Sequence, residues 1–293
     1  MKRLEKLLVN VVAILLIVVS CFGLSACKED IRTLELTISV YNYETDETET
    51  ATLTVDLYAH LAPKTVSQIE KYAKDGYYNN TVFYKITTEG KNYPNQIMLG
   101  DLKQNDLGDI VLNDIKPEIK GEFERGGTSG SNLTVKRGSI GLWRSWYEYD
   151  GSYNVSSTAM NSGRATWFIP TSTSNTALTS YNQWFCVFAQ FDLSGENLGA
   201  LELITDAINE YTVDYVICYT GEYDADNKDE GYGLTAHCIP ADDFDQATFE
   251  AENGKIFEAE GEQLVCYNKS TVSIPAIEDA GEITAKVTSV KIK

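Results

Sequence analysis

Histidine is nearly missing from this sequence: His60 and His237 are the only two among 293 residues. With so few imidazoles, a His-ligated zinc site and a triad built on a histidine base are both hard to assemble. Cysteine is scarce as well. Beyond Cys21 and Cys27 only Cys186, Cys218, Cys238 and Cys266 remain. Their spacing matches neither a C-x-x-C redox pair nor a zinc site, so buried thiols or one disulfide are expected. Cations are outnumbered, 24 Lys and Arg against 43 Asp and Glu, for a formal charge of −19. Residues 1–26 contribute a net +2, which leaves −21 on the remainder. A body that acidic repels nucleic acid and anionic lipid headgroups. No apolar run long enough to cross a bilayer follows residue 24. A hydrophobic content of 43% is nevertheless enough for a packed core, so wholesale disorder is excluded.

The N-terminus differs from all of this. Lys2, Arg3 and Lys6 precede an apolar stretch, residues 7–24, interrupted by little more than Asn10, Ser20 and Gly23. Leu24-Ser25-Ala26-Cys27 follows. A basic start, an apolar run and small residues at its end predict a secretory signal over residues 1–26, and the cysteine predicts a lipidated one. Cys27 is then the first mature residue and carries an acyl anchor, with residues 27–32 as a short tether. The expected location is extracytoplasmic, held to the cell membrane by the lipid alone.

Along the rest of the chain, residues 33–42 (TLELTISVYN) and 51–58 (ATLTVDLY) alternate apolar and polar positions around the acidic stretch 44–49, which predicts a hairpin. Pro63 opens a segment in which Val66, Ile69, Tyr72 and Ala73 keep helical spacing until Gly76. That is an amphipathic helix. Strand patterns follow at 81–86 (TVFYKI) and 96–99 (QIML), and again at 138–142, 166–170 and 185–191, with a second helix over 196–211. The stretch 102–133 is loop-rich. Residues 213–275 hold 14 acidic residues against Lys228, Lys255 and Lys269, and read as an inserted excursion. Residues 282–293 alternate cleanly once more, fit to return as the strand that closes the sheet. The expected fold class is mainly β, a closed antiparallel barrel with two helices.

Two motifs invite sharper readings. Residues 224–230 (DADNKDE) resemble a calcium loop, but Lys228 takes the fifth position and Asp229 the expected glycine, so an acidic solvated loop is the reading. Trp143, Trp146, Tyr147, Tyr149 and Tyr153 form an aromatic cluster that either stacks on a sugar or peptide or packs an insertion onto its host. Neither a metal nor a cofactor is expected.

Five pieces in order, VDLYAHLAPKTVSQIEKYAKDGYYNNTVFYKI, IMLGD, KRGSIGL, ATWFIPTS and CVFAQF, resemble the cyclophilin family of peptidyl-prolyl cis-trans isomerases. The resemblance implies a cyclophilin-like barrel over 33–293, enlarged by insertions near 143–161 and 213–275. It also implies catalysis without a covalent step: a donor aimed at the prolyl nitrogen lowers a rotation barrier of roughly 20 kcal/mol. Lys85 stands where the family has its arginine, and keeps a charged donor but not the planar fork. Met98 falls at the family's glutamine, Asn95 at a pocket phenylalanine, and Gln96, two residues from Met98 on the same strand face, is the substitute anchor. Phe168 matches the pocket floor and Leu142 an apolar wall, with Trp143 and Arg144 narrowing the groove beyond it. Phe185 takes the histidine position, and Ser180 and Tyr181 fall where an aliphatic and a tryptophan are often found. Implied partners are proline-containing segments of exported proteins, met by a monomer with weak activity. The alternative is a non-catalytic peptide- or glycan-binding module on the same scaffold.

Overall fold

The alternation at residues 33–58 becomes a twelve-residue hairpin, β1 (Ile31–Asn42) against β2 (Glu47–Tyr58). In register, Leu34 faces Val55 and Leu36 faces Leu53. Leu34, Leu36, Ile38 and Val40 are fully buried, as are Leu53, Val55 and Leu57. Each such side chain stabilises the fold by roughly 2 kcal/mol. The acidic link is tighter than the sequence suggests, since Glu47 already pairs with Asn42 and Asp46 takes the left-handed turn conformation at φ 57°.

Helix α1 (Pro63–Lys74) begins with Pro63 in its first turn and buries Val66, Ile69, Tyr72 and Ala73. Its first amides are capped from a distance: the Glu122 carboxylate accepts from Lys64 N at 3.0 Å and Thr65 N at 2.8 Å. There follow β3 (Lys85–Thr88), β4 (Lys91–Asn92), β5 (Gln96–Leu99), β6 (Leu102–Gln104), β7 (Ile110–Leu112), β8 (Ser139–Leu142), β9 (Glu148–Tyr149), β10 (Ser152–Tyr153), β11 (Trp167–Pro170), β12 (Cys186–Gln190), α2 (Gly195–Glu210), β13 (Thr212–Thr220), β14 (Thr235–Pro240), α3 (Gln246–Asn253), β15 (Lys269–Pro275) and β16 (Ala285–Ile292). This computed structural model describes residues 30–88, 91–92, 96–123, 133–144, 148–149, 152–153, 163–173, 184–221, 235–256, 269–278 and 282–293. Ile31–Lys293 form one unit of the chain.

Seven strands make a strongly curled antiparallel sheet in the order β16-β1-β2-β12-β8-β11-β5. The barrel expected from the sequence is therefore an open half-barrel. Its two edge strands are bridged rather than zipped: Val82 pairs with Lys286 on β16, and Tyr84 pairs with Met98 on β5. Five strands, β14-β13-β15-β3-β4, form a second sheet. The excursion over 213–275 is thus a sheet of its own, joined to the barrel through β3. Helix α3, unforeseen in the sequence, is a third helix. It buries only Phe249, too little to print a helical period, and is started by Asp245 accepting from Thr248 N at 2.8 Å.

Two large buried cores and a small third one, around Cys218, Phe249 and Ile256, result among the described residues. The first lies between the curled sheet and helices α1 and α2, and contains Phe83, Trp167, Phe188 and Leu201. In it Trp167 Nε1 donates to Tyr78 Oη at 3.0 Å, and Tyr78 donates to Ala165 O at 3.2 Å. The second gathers Met98, Phe168, Phe185, Trp143 and Val187 with Ile217, Val272 and Ile274 of the second sheet.

Candidate functional site

Strands β5 and β11 are buried along their whole length, so successive side chains enter different cores. Trp167 goes to the first and Phe168 to the second. Phe168 sits opposite Met98 on β5 and Gly141 on β8. Its ring lies flat over β8 because position 141 has no side chain; a Cβ there would stand 2.3 Å from Phe168 Cε1. Phe168 meets Phe185 edge-on at 5.1 Å, and Trp143 stacks on Phe185 at 5.4 Å. Met98, Phe168, Phe185 and Trp143 are all buried, the most exposed of them at 6%.

Arg144 closes one end of this aromatic group. It is 3% exposed, donates from Nε to Trp184 O at 2.6 Å and lies 5.2 Å from the ring centres of Phe123 and Phe185. Burial pulls its pKa down to about 10. Gln96, on the same strand face as Met98, is buried at 2% exposure, and neither atom of its amide has a hydrogen-bond partner among the described residues.

Lys85 stands apart from this group. Along β3 the buried Tyr84 and Ile86 point into the second core, so Lys85 projects from the opposite face. Its amine donates to Asn209 Oδ1 on α2 at 2.6 Å, and partial desolvation lowers its pKa. Leu142 likewise faces the first core, and its neighbour Trp143 faces Phe168. Tyr181, Ser180, Asn95 and Cys27, the expected lipidation site, lie outside the described residues, as do Trp146, Tyr147 and the acidic stretch 224–230.

A pair that sequence reasoning missed occupies the place next to Met98. The Tyr84 hydroxyl donates to Asp101 Oδ1 at 2.5 Å, and desolvation raises the Asp101 carboxyl above its ordinary pKa although this hydrogen bond opposes the shift. The signal for it was the parity of 83–86, in which Tyr84 shares a face with Ile86 rather than with Lys85. A cleft of about 390 Å³ beside α1, lined by residues that include Pro63, Lys64 and Gln68, touches none of the expected site residues.

Among the described residues no group of three or more His, Cys, Asp or Glu side chains is placed to hold a metal. Cys186 and Cys238 are free thiols. Cys218 pairs with His237 and Cys238 with Ile217, so the two cysteines lie on opposite faces of the second sheet and cannot join. Burial pushes the thiols of Cys186 and Cys238 up to about 12, which leaves both unreactive at neutral pH. No described helix is long and apolar enough to cross a membrane.

Comparison with known proteins bears on this arrangement. Among solved structures, a cyclophilin type peptidyl-prolyl cis-trans isomerase of Cryptosporidium parvum is similar at 16% identity, covering 72% of this chain and 99% of its own, with a TM-score of 0.37. A cyclophilin from Hirschia baltica is similar at 11% identity, covering 89% of this chain and 93% of its own, with a TM-score of 0.34. No curated protein matches. The model of the family described as cyclophilin type peptidyl-prolyl cis-trans isomerase/CLD matches residues 41–221, more than half of the 293. The chain belongs to the cyclophilin-type peptidyl-prolyl cis-trans isomerase family.

Proposed function

We propose that this chain is an exported, lipid-anchored prolyl isomerase of low turnover, a monomer that engages proline-containing segments of exported proteins beside the membrane. The observation that carries the reading is the convergence of Met98, Phe168 and Phe185 in one buried group, with Gln96 on the same strand face as Met98, all inside the residues matching the family. Isomerisation needs no nucleophile or metal, only a peptide face and a donor that stabilises the twisted bond. The two unpaired atoms of the Gln96 amide suit a peptide group, which offers one donor and one acceptor.

Low turnover is supported by Lys85. Its amine is engaged with Asn209, on the far side of β3 from Phe168. A lysine so placed contributes little to the twisted state, where loss of one well-placed donor costs roughly 3 kcal/mol, about a hundredfold in rate. The second reading, a non-catalytic module for proline-containing segments, is favoured by the burial of Met98, Phe168 and Phe185 beside Trp143.

A protease-coupled assay on a proline tetrapeptide separates the two, run on wild type, Lys85→Arg, Lys85→Ala and Phe168→Ala, with peptide binding measured in parallel by NMR. Slow catalysis that Phe168→Ala abolishes supports the isomerase. Binding lost in Phe168→Ala without any catalysis supports the module. Neither binding nor catalysis in the wild type overturns both.

A further inference from the structure

The face that carries Met98 and Phe168 is buried by this chain's own second sheet. Ile217 of β13 and Val272 and Ile274 of β15 belong to the same buried group as Met98, Phe168 and Phe185. Strands β14 and β15 and helix α3 lie beyond residue 221, outside the residues that match the family.

The sheet β13–β15 is paired with β3 over three residues, Ser273 with Lys85, Val272 with Ile86 and Thr271 with Thr87, whereas β1 and β2 pair over twelve. The seam between the layers is imperfectly packed. Tyr84, Asp101 and Leu112 on one side and Ile217, Ser270 and Val272 on the other leave a cavity of about 20 Å³ between them. Ser270 is 4% exposed, and its hydroxyl has no hydrogen-bond partner among the described residues. A buried unpaired hydroxyl and a void both weaken the closed state relative to one in which the layers part and water enters. The Tyr84–Asp101 pair lies in the same seam, where desolvation disfavours the Asp101 carboxylate and the Tyr84 hydrogen bond offsets part of that cost.

From this geometry we infer that the sheet β13–β15 is an autoinhibitory cover, closed in the resting protein, whose parting along the Tyr84–Ser270 seam exposes Met98 and Phe168 to a peptide. The inference rests on reading that face as the peptide face. It also accounts for weak turnover, since only the open fraction of molecules binds, and the observed affinity is reduced by that fraction.

The test is thiol labelling of Met98→Cys with iodoacetamide, followed by site-resolved mass spectrometry, with Cys186 in the first core as the internal reference. The cover predicts labelling at position 98 by a local opening that is insensitive to low urea and at least tenfold faster than at Cys186. Adding Ser270→Val, which fills the void and removes the unpaired hydroxyl, slows labelling at 98 several-fold and leaves Cys186 unchanged. Adding Val272→Ala speeds it. Equal rates at 98 and 186 in all variants, both tracking global unfolding, overturn the cover and make the second core permanent. Should Met98→Cys fail to fold, native-state hydrogen exchange of the wild-type Lys85 amide, on the side of β3 that faces β15, carries the same decision: local exchange at low urea supports the cover, and exchange only on global unfolding overturns it. A proline peptide that slows labelling at 98 supports both readings. Fast labelling at 98 that the peptide leaves unchanged supports the cover while counting against the isomerase.

Discussion

Substituting alanine for Gly141 places a methyl group 2.3 Å from Phe168 Cε1 and Cζ, where ordinary carbon contact is about 3.5–4.0 Å. The ring cannot retreat freely, because Phe185 and Trp143 hold it edge-on at 5.1 and 6.0 Å. Gly141 lies within β8, so the backbone itself accepts alanine, and the cost is overpacking alone, roughly 1–3 kcal/mol. Phe168→Ala by itself loses roughly 3–5 kcal/mol by truncating a fully buried ring. In the Phe168→Ala background the clash is gone, and Gly141→Ala then stabilises by roughly 0.4–1 kcal/mol through the less flexible unfolded chain. The sign of one substitution thus reverses with the state of another residue. In urea, with a slope of about 1–3 kcal/mol per molar, Gly141→Ala lowers the wild-type midpoint by roughly 1 M and raises that of Phe168→Ala slightly. An equal downward shift in both backgrounds would refute the placement of the Phe168 ring over β8.

Three further outcomes are expected. Glu122→Ala removes the acceptor shared by Lys64 N and Thr65 N and lowers the urea midpoint by roughly 1 kcal/mol worth of stability, with Glu122→Gln intermediate; no loss in either variant contradicts the capping contact. The Asp101 carboxyl is raised above its ordinary 3.8, so its neutral form favours the folded state below that value, and this contribution is lost as pH rises through the folded-state pKa. Asp101→Asn, which stays neutral and still accepts from Tyr84, therefore loses less stability than wild type between pH about 4 and 7 when unfolding free energy is measured against pH; parallel curves contradict the desolvation argument. Cys27→Ala releases the protein from the membrane fraction and abolishes labelling by a radioactive fatty acid, whereas an unlabelled wild type that still sediments with membranes points to an uncleaved signal anchor.

The sequence by itself determined the parts of this protein whose burial follows a short period. Leu34, Leu36, Ile38 and Val40 announce β1 because one face of the hairpin is dry and the other wet, and Val66, Ile69, Tyr72 and Ala73 announce α1 for the same reason. The alternation of 282–293 announces β16 as a strand, and the ordered motifs from 55 to 191 carried the family, whereas the pairing of β16 with β1 came from the fold. Only the tertiary structure decided which way the candidate site residues look. QIML and WFIP are buried on both faces, so no alternation says that Phe168 and Met98 share one core while Trp167 and Ile97 share the other. Lys85 reads as a donor from its place in a motif, yet its partner Asn209 stands 124 residues away on α2, and that contact exists only once α2 has packed on the sheet. The acidic composition of 213–275 suggests a solvated excursion, but Ile217, Val272 and Ile274 are inward residues of a second sheet whose opposing surface includes Met98 of β5 and Phe168 of β11, far earlier in the chain. Local periodicity reports that a side chain is buried; what it is buried against is set by strand order, which the chain acquires only on folding.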